Sequence, residues 1–176
     1  MKFLIIDTSG PDSFVCLWDH ETSATCKTKL LPPLKQSQTL LPAIQELLEG
    51  QTIDFITIGT GPGSFTGTRV GVMTAKTLAF ALKIPLIPFC SLKIHTPNEE
   101  GSFVLFSDAK SSGTFALEGV RTSETTSFQK PYIKEGKEPL SKGLNLPFLG
   151  KYLLGKFLES DGDFSPEVQV CYLKTP

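Results

Sequence analysis

Residues 53–89 read IDFITIGTGPGSFTGTRVGVMTAKTLAFALKIPLIPF. An apolar run from Ile53 to Ile58 meets glycine-rich punctuation, a long helical stretch follows to about Lys83, and a second apolar run occupies Leu86 to Phe89. Continuous apolar runs of this length suit strands covered on both faces. Two such strands joined through a helix form a crossover unit, so the sheet is at least partly parallel and the fold class is α/β.

Working outward, Phe3 to Ile6 form another continuous apolar run, which Asp7-Thr8-Ser9-Gly10-Pro11 stops with turn chemistry. Ser13 to Trp18 and the more polar Thr22 to Lys29 continue it as a meander. Leu40, Leu41, Ile44, Leu47 and Leu48 make the stripe of an amphipathic helix. Thr39 is its expected N-cap, because that places Pro42 in the first turn, and Gly50 is the expected stop. Downstream, FVLFSDAKSSGTFAL from Phe103 can be laid on FLIIDTSGPDSFVCL from Phe3 with one residue of slack: a strand, an Asp, a small-residue turn, a second strand. After Lys110 come a charged, Pro/Gly-containing run at Lys130–Lys142, an apolar stretch at Leu144–Leu158 and a strand-like Val168–Leu173. The expected organisation is an N-terminal lobe, residues 1–97, and an abbreviated second lobe, residues 98–176.

The 176 residues include 17 Lys and Arg against 18 Asp and Glu, a formal charge of -1. That balance gives no long-range field toward a phosphate backbone, so contact with nucleic acid is expected only with a partner's help. The four cysteines, Cys16, Cys26, Cys90 and Cys171, form no C-x-x-C and read as reduced thiols. Apolar character at the N-terminus lasts only from Phe3 to Ile6, too short for a signal or a membrane span. The expected location is the cytoplasm, away from any membrane.

The loop from Gly59 sits where phosphate loops live, yet a dinucleotide fingerprint would need Gly where Ser64 stands, and no Gly-Lys is followed by Ser or Thr. It reads instead as a tight turn in which Gly61 and Gly63 supply positive φ, Pro62 fixes the turn and Ser64 caps the next helix. Within that helix Gly67, Gly71, Ala75 and Ala79 form a smooth ridge, while Arg69, Lys76 and Lys83 lie on one narrow stripe. Two arrangements fit: a helix buried between its own sheet and Leu40–Leu48, or a helix pair presenting a face to another protein. Asp7 and Asp108, each ending a strand, either cap turns or hold a phosphate-bound metal. His20 and His95 are far apart in sequence with no third ligand type beside them, and no G-x-S-x-G elbow occurs. No catalytic residue, metal site or cofactor is assigned.

The string GTGPGSFTGTRVGVMTAKTLAFALKIPLIPFCSL, residues 59–92, closely resembles the signature of the TsaB (YeaZ-type) family of the Kae1/TsaD superfamily. FLIIDTS, SQTLLPAIQELL and FSDAK are similar to family segments in the same order, and Cys171-Tyr172-Leu173-Lys174 resembles its Val-Tyr-Leu-Arg ending. The resemblance implies an actin-like, ribonuclease-H-like ASKHA architecture: a mixed sheet with crossover helices and two related lobes. It also implies a role in making threonylcarbamoyladenosine next to the tRNA anticodon. There the family member is the non-catalytic partner of a TsaD-like transferase, a TsaE-like ATPase assists, and tRNA is met only through the complex. Pairing through the first two helices would use Leu40, Leu41, Ile44, Gly67, Gly71, Val72, Ala75 and Lys76. The signature loop is Gly59, Gly61, Pro62, Gly63, Ser64, Thr66 and Arg69, and Asp7 with Asp108 would be the remnant of a nucleotide site. Two departures stand out: Gln36 occupies the place of a His found in many members, and no Gly-Gly pair is present to hold adenosine. The alternative is an actin-like ATPase or phosphotransferase using Asp7 and Asp108; the superfamily's peptidase label lacks its paired histidines here. Self-pairing of the free chain and the stoichiometry of any complex stay open.

Overall fold

The computed structural model describes residues 1–21, 27–110, 113–160 and 168–173. Its elements in chain order are β1 (Lys2–Asp7), β2 (Phe14–Asp19), β3 (Lys27–Leu30), α1 (Gln36–Leu48), β4 (Phe55–Gly59), α2 (Phe65–Leu82), β5 (Leu86–Phe89), a 3-10 helix at Ser91–His95, β6 (Gly101–Asp108), β7 (Thr114–Arg121), β8 (Thr126–Phe128), β9 (Tyr132–Lys134) and α3 (Leu146–Glu159). Residues 22–26, Cys26 among them, and Lys174 lie outside the described residues.

The first sheet runs β3-β2-β1-β4-β5. β1, β2 and β3 are antiparallel, whereas β4 pairs parallel with both β1 and β5, as the crossover pattern predicts. Alternation along the strands divides the core in two. Leu4, Ile6, Val15, Leu17, Ile56 and Ile58 meet α1 and α2 on one face. Phe3, Ile5, Phe14, Cys16, Trp18, Phe55, Ile87 and Phe89 meet α3 on the other, with Phe55 stacked between Phe3 and Phe157. Both faces are covered, which is why the strands read as unbroken apolar runs. Each fully buried Phe, Ile or Leu contributes about 1.5–3 kcal/mol.

The N-terminal end of α1 differs from the expectation. The helix starts at Gln36, so Pro42 lies inside it. Thr39 does not cap; its hydroxyl donates back to the Lys35 carbonyl, 3.0 Å away, and Gln36 Nε2 donates to Ser13 Oγ at 3.3 Å. Gln38 and Pro42 are both exposed, so the bond that the proline cannot make is lost on the solvent side, where water can substitute. At the other end Glu49 and Gly50 both take positive φ and close the helix.

The second sheet, β6-β7-β8 with β9 also on β7, is wholly antiparallel and packs Leu105, Phe115 and Leu117 on Leu92 of the 3-10 helix. α3 follows in sequence yet lies on the first sheet, where Gly150 admits Trp18: a Cβ there would stand 2.4 Å from the indole. Asn145 caps α3, accepting from Phe148 N–H, and its Nδ2 donates to the Thr96 carbonyl. Val168–Leu173, expected as a strand, lies outside both sheets, with Val168 buried against α1 and α2. No helix among the described residues is long and apolar enough to cross a membrane.

Candidate functional site

The glycine-rich loop joins β4 to α2 at the carboxyl ends of β1 and β4, the edge at which α/β sheets bind ligands. Here the chain itself fills that edge. Asp7 is 2% exposed, and its Oδ1 accepts from the Ser9 N–H (2.8 Å) and the Ser9 hydroxyl (2.7 Å). Oδ2 is buried without a well-formed hydrogen bond among the described residues. Burial pushes the carboxyl pKa up, opposed by the neighbouring Ser91 hydroxyl, the Ser9 bonds and the charge of His95.

The glycines explain how backbone comes so close. A Cβ on Gly59 would stand 1.8 Å from Asp7 Oδ2, and one on Gly63 would stand 2.3 Å from the Ser9 carbonyl. Gly61 does take positive φ, +93°. Gly63 does not, so the requirement there is close approach and not the left-handed conformation that the sequence suggests. Ser64 caps α2 as expected, accepting from Gly67 N–H. Ser91 ties the loop from the far side: its Oγ accepts from Gly61 N–H (3.0 Å), and its N–H donates to the Gly61 carbonyl (2.9 Å). Thr60 is held by Phe89 and by Cys171.

Among the helix residues the structure separates two groups. Leu40, Ile44, Gly67, Gly71, Val72 and Ala75, expected at a partner interface, are buried inside this chain. The reason is the same close packing: a Cβ on Gly67 would stand 2.2 Å from the Thr8 carbonyl, and one on Gly71 would stand 2.3 Å from Thr8 Oγ1. The small-residue ridge of α2 seats the helix on its own β1 turn, and Gly71→Leu would break the fold first. Leu41 (45% exposed) faces out, Lys76 partly so, and Thr66 and Arg69 are exposed.

Sequence reasoning singled out the cations of the outward face, Arg69, Lys76 and Lys83, but missed its apolar members, Phe65, Met73 and Phe80. Phe65, Arg69, Met73, Lys76, Phe80 and Lys83 recur at 0, 4, 8, 11, 15 and 18 residues, one side of a helix. Met73 is 62% and Phe80 87% exposed. The signal is present in the sequence, since these large apolar residues fall on the same stripe as the three cations and opposite the glycine ridge.

Asp108 is exposed, and its Oδ1 accepts the Lys110 N–H at 2.7 Å, a turn cap. No group of three or more metal-ligating side chains is gathered among the described residues. Cys90 and Cys171 are free thiols, and burial lifts Cys90 to a pKa of about 12.

Comparison with known proteins places this architecture. The model of the family TsaD, tRNA N6-adenosine threonylcarbamoyltransferase, matches residues 35–151. A tRNA threonylcarbamoyladenosine biosynthesis protein TsaB from Escherichia coli (strain K12) is 34% identical over 97 residues, 52% of this chain and 41% of that protein. One of the same name from Bacillus subtilis (strain 168) is 34% identical over 105 residues, 56% of this chain and 44% of that protein. The chain thus spans less than half the length of these relatives. A solved structure from Pseudomonas aeruginosa, described as an uncharacterized protein with similarity to peptidase YEAZ, superposes with a TM-score of 0.80 at 18% identity, covering 98% of this chain and 99% of that one. The fold is the actin-like α/β architecture that the family resemblance implies, and the chain belongs to the TsaD family as a TsaB/YeaZ-type member.

Proposed function

We propose that this chain is a non-catalytic subunit that docks through α2 onto a TsaD-like transferase and so supports threonylcarbamoylation of adenosine next to the tRNA anticodon. A TsaE-like ATPase completes the assembly, and tRNA is engaged by the complex and not by this chain alone. One observation carries the reading: the outward face of α2 is apolar and basic, with no acidic residue anywhere in the helix. An exposed row of Phe65, Met73 and Phe80 between Arg69, Lys76 and Lys83 suits a protein partner whose facing surface is apolar with acidic edges. A second copy suits it less well. Stacking α2 on α2 would oppose like charges, and Glu46 and Glu49 of the neighbouring α1 region already pair with Lys29 and Lys27. The names of the relatives supply the chemistry of the pathway.

The ATPase alternative draws its support from Asp7 and Asp108. Asp7, however, is walled by Gly59, Ser9 and Ser91, and Asp108 caps a turn in the second sheet. Calorimetric titration with the TsaD-like protein of the same cell tests the proposal. Met73→Asp and Phe80→Asp are expected to weaken binding roughly a hundredfold, since each strands a charge at the contact, while leaving the melting temperature unchanged. Modification in a reconstituted assay should require both subunits. Wild-type affinity in both variants, or ATP turnover by the isolated chain that Asp7→Asn abolishes, would overturn it.

A further inference from the structure

The segment Val168–Leu173 does more than end the described chain. Val168 and Val170 enter the core under α1 and α2, the Cys171 N–H donates to the Thr60 carbonyl at 2.8 Å, and Leu173 packs with Leu92 of the 3-10 helix and Leu105 of the second sheet. This short stretch therefore ties the core under α1 and α2 and the packing of the second sheet to the glycine-rich loop. Tyr172, between two anchored neighbours, points to the start of α2. Its hydroxyl accepts from Arg69 Nε–H at 2.8 Å, and its ring lies 5.7 Å from that of Phe65. The Arg69 guanidinium lies 3.7 Å over the Phe65 ring and 5.8 Å from that of Tyr172. All three residues are exposed, so the cluster is not core packing.

We infer that Tyr172 is a positioning residue for the docking face on α2: it fixes Arg69 against Phe65 so that the guanidinium meets an acidic side chain of the TsaD-like subunit. This rests on the docking reading above. Tyr172 engages only Nε, and Nη1 and Nη2 form no hydrogen bond among the described residues. Those two nitrogens present a fork suited to a carboxylate. A free Arg loses much rotamer freedom when it is captured by a partner; one already held between a ring and a hydroxyl loses less, and affinity rises accordingly.

The test is a double-mutant cycle on partner binding, read by calorimetry beside the melting temperature of each variant. Tyr172→Ala is expected to weaken binding about tenfold, and Arg69→Ala at least as much. The double variant should be no weaker than Arg69→Ala, because Tyr172 acts only through that guanidinium. Tyr172→Phe keeps the ring and loses the hydroxyl, so a loss of about threefold is expected. A general structural role would lower the melting temperature and add its effect in the double variant. Additive losses overturn the inference, as does wild-type affinity in folded Tyr172→Ala or, should that variant unfold, in Tyr172→Phe. If the wild-type chain itself fails to bind the TsaD-like subunit, the docking reading falls and this inference with it. If it binds and Tyr172→Ala binds equally, only the inference falls.

Discussion

The β1–β2 and β6–β7 hairpins follow one residue pattern, a strand, an Asp, a small-residue turn and a second strand, and meet different fates. β1 ends on Asp7 opposite Phe14, and β6 ends on Asp108 opposite Thr114. In both, the carboxylate Oδ1 accepts the backbone N–H two residues on, at 2.8 Å from Ser9 and 2.7 Å from Lys110. The local chemistry is one motif used twice. What differs is the neighbour: β1 lies between β2 and β4, and the end of β4 brings Gly59 onto Asp7, whereas β6 is an edge strand that, among the described strands, pairs with β7 alone. Asp7 is buried and Asp108 is exposed because of sheet position, not because of their own turns. The same carboxylate-to-backbone turn bond is therefore expected to carry very different energetic weight in the two places.

The largest expected effect follows from that neighbour. Gly59→Ala puts a methyl group 1.8 Å from Asp7 Oδ2, 2.6 Å from Asp7 Cγ and 2.8 Å from Ser91 Oγ. None of these atoms is the free end of a flexible chain, since Asp7 is fixed by Ser9 and Ser91 by the loop. Relief requires β1 and β4 to part, at a cost above about 3 kcal/mol. Urea unfolding should show a midpoint far below wild type, and near-wild-type stability would mean that Asp7 is not enclosed as described.

Much of this arrangement is legible in the residues alone. Unbroken apolar runs flanking a helix dictate parallel strands, and β5 falls at Leu86–Phe89 as read. Ser64 is the cap in sequence and in structure because a Ser before a helical run has one strong use. The start of α1 is not legible in the same way: Thr39 ahead of Pro42 mimics a helix entry, while tertiary contact through Gln36 and Ser13 favours an earlier one. The glycine ridge of α2 is legible as a place of close approach, but a sequence does not say which backbone approaches. Thr8 of the same chain does, which leaves Met73 and Phe80, not the glycine ridge, on the exposed side of the helix. Tyr172 beside Arg69 joins positions too distant in sequence for any spacing rule.

A smaller effect should appear as a pH dependence. Burial raises the pKa of Asp7, so between the ordinary carboxylate value of 3.8 and the raised one the native state keeps a proton that the unfolded state has released. The unfolded state binds fewer protons there, and stability falls as pH rises through that window. Asp7→Asn is neutral at every pH, and its Oδ1 can still accept both Ser9 bonds. Denaturation across a pH series should show Asp7→Asn gaining on wild type once the pH exceeds the ordinary carboxylate value. The gain should accrue at about 1.4 kcal/mol per pH unit until the raised pKa is passed. A gap independent of pH would indicate that Asp7 titrates as it would in water.

The smallest effect belongs to Asp108, and it sharpens the comparison most directly. Asp108→Ala removes the acceptor for the Lys110 N–H, but Asp108 and Lys110 are both exposed, so water replaces the lost bond. The melting temperature should fall by no more than about 2 °C. The same truncation at Asp7 leaves the Ser9 N–H and hydroxyl without an acceptor in a buried place, for which about 1–3 kcal/mol is expected. Measured side by side, the two alanine variants share the loss of one carboxylate-to-backbone bond and differ in the surroundings and in the Ser9 hydroxyl bond. Equal losses would show that the turn bond itself, and not enclosure by β4, accounts for the weight of Asp7. A deep loss at Asp108 with little at Asp7 would reverse the assignment of which hairpin anchors the fold.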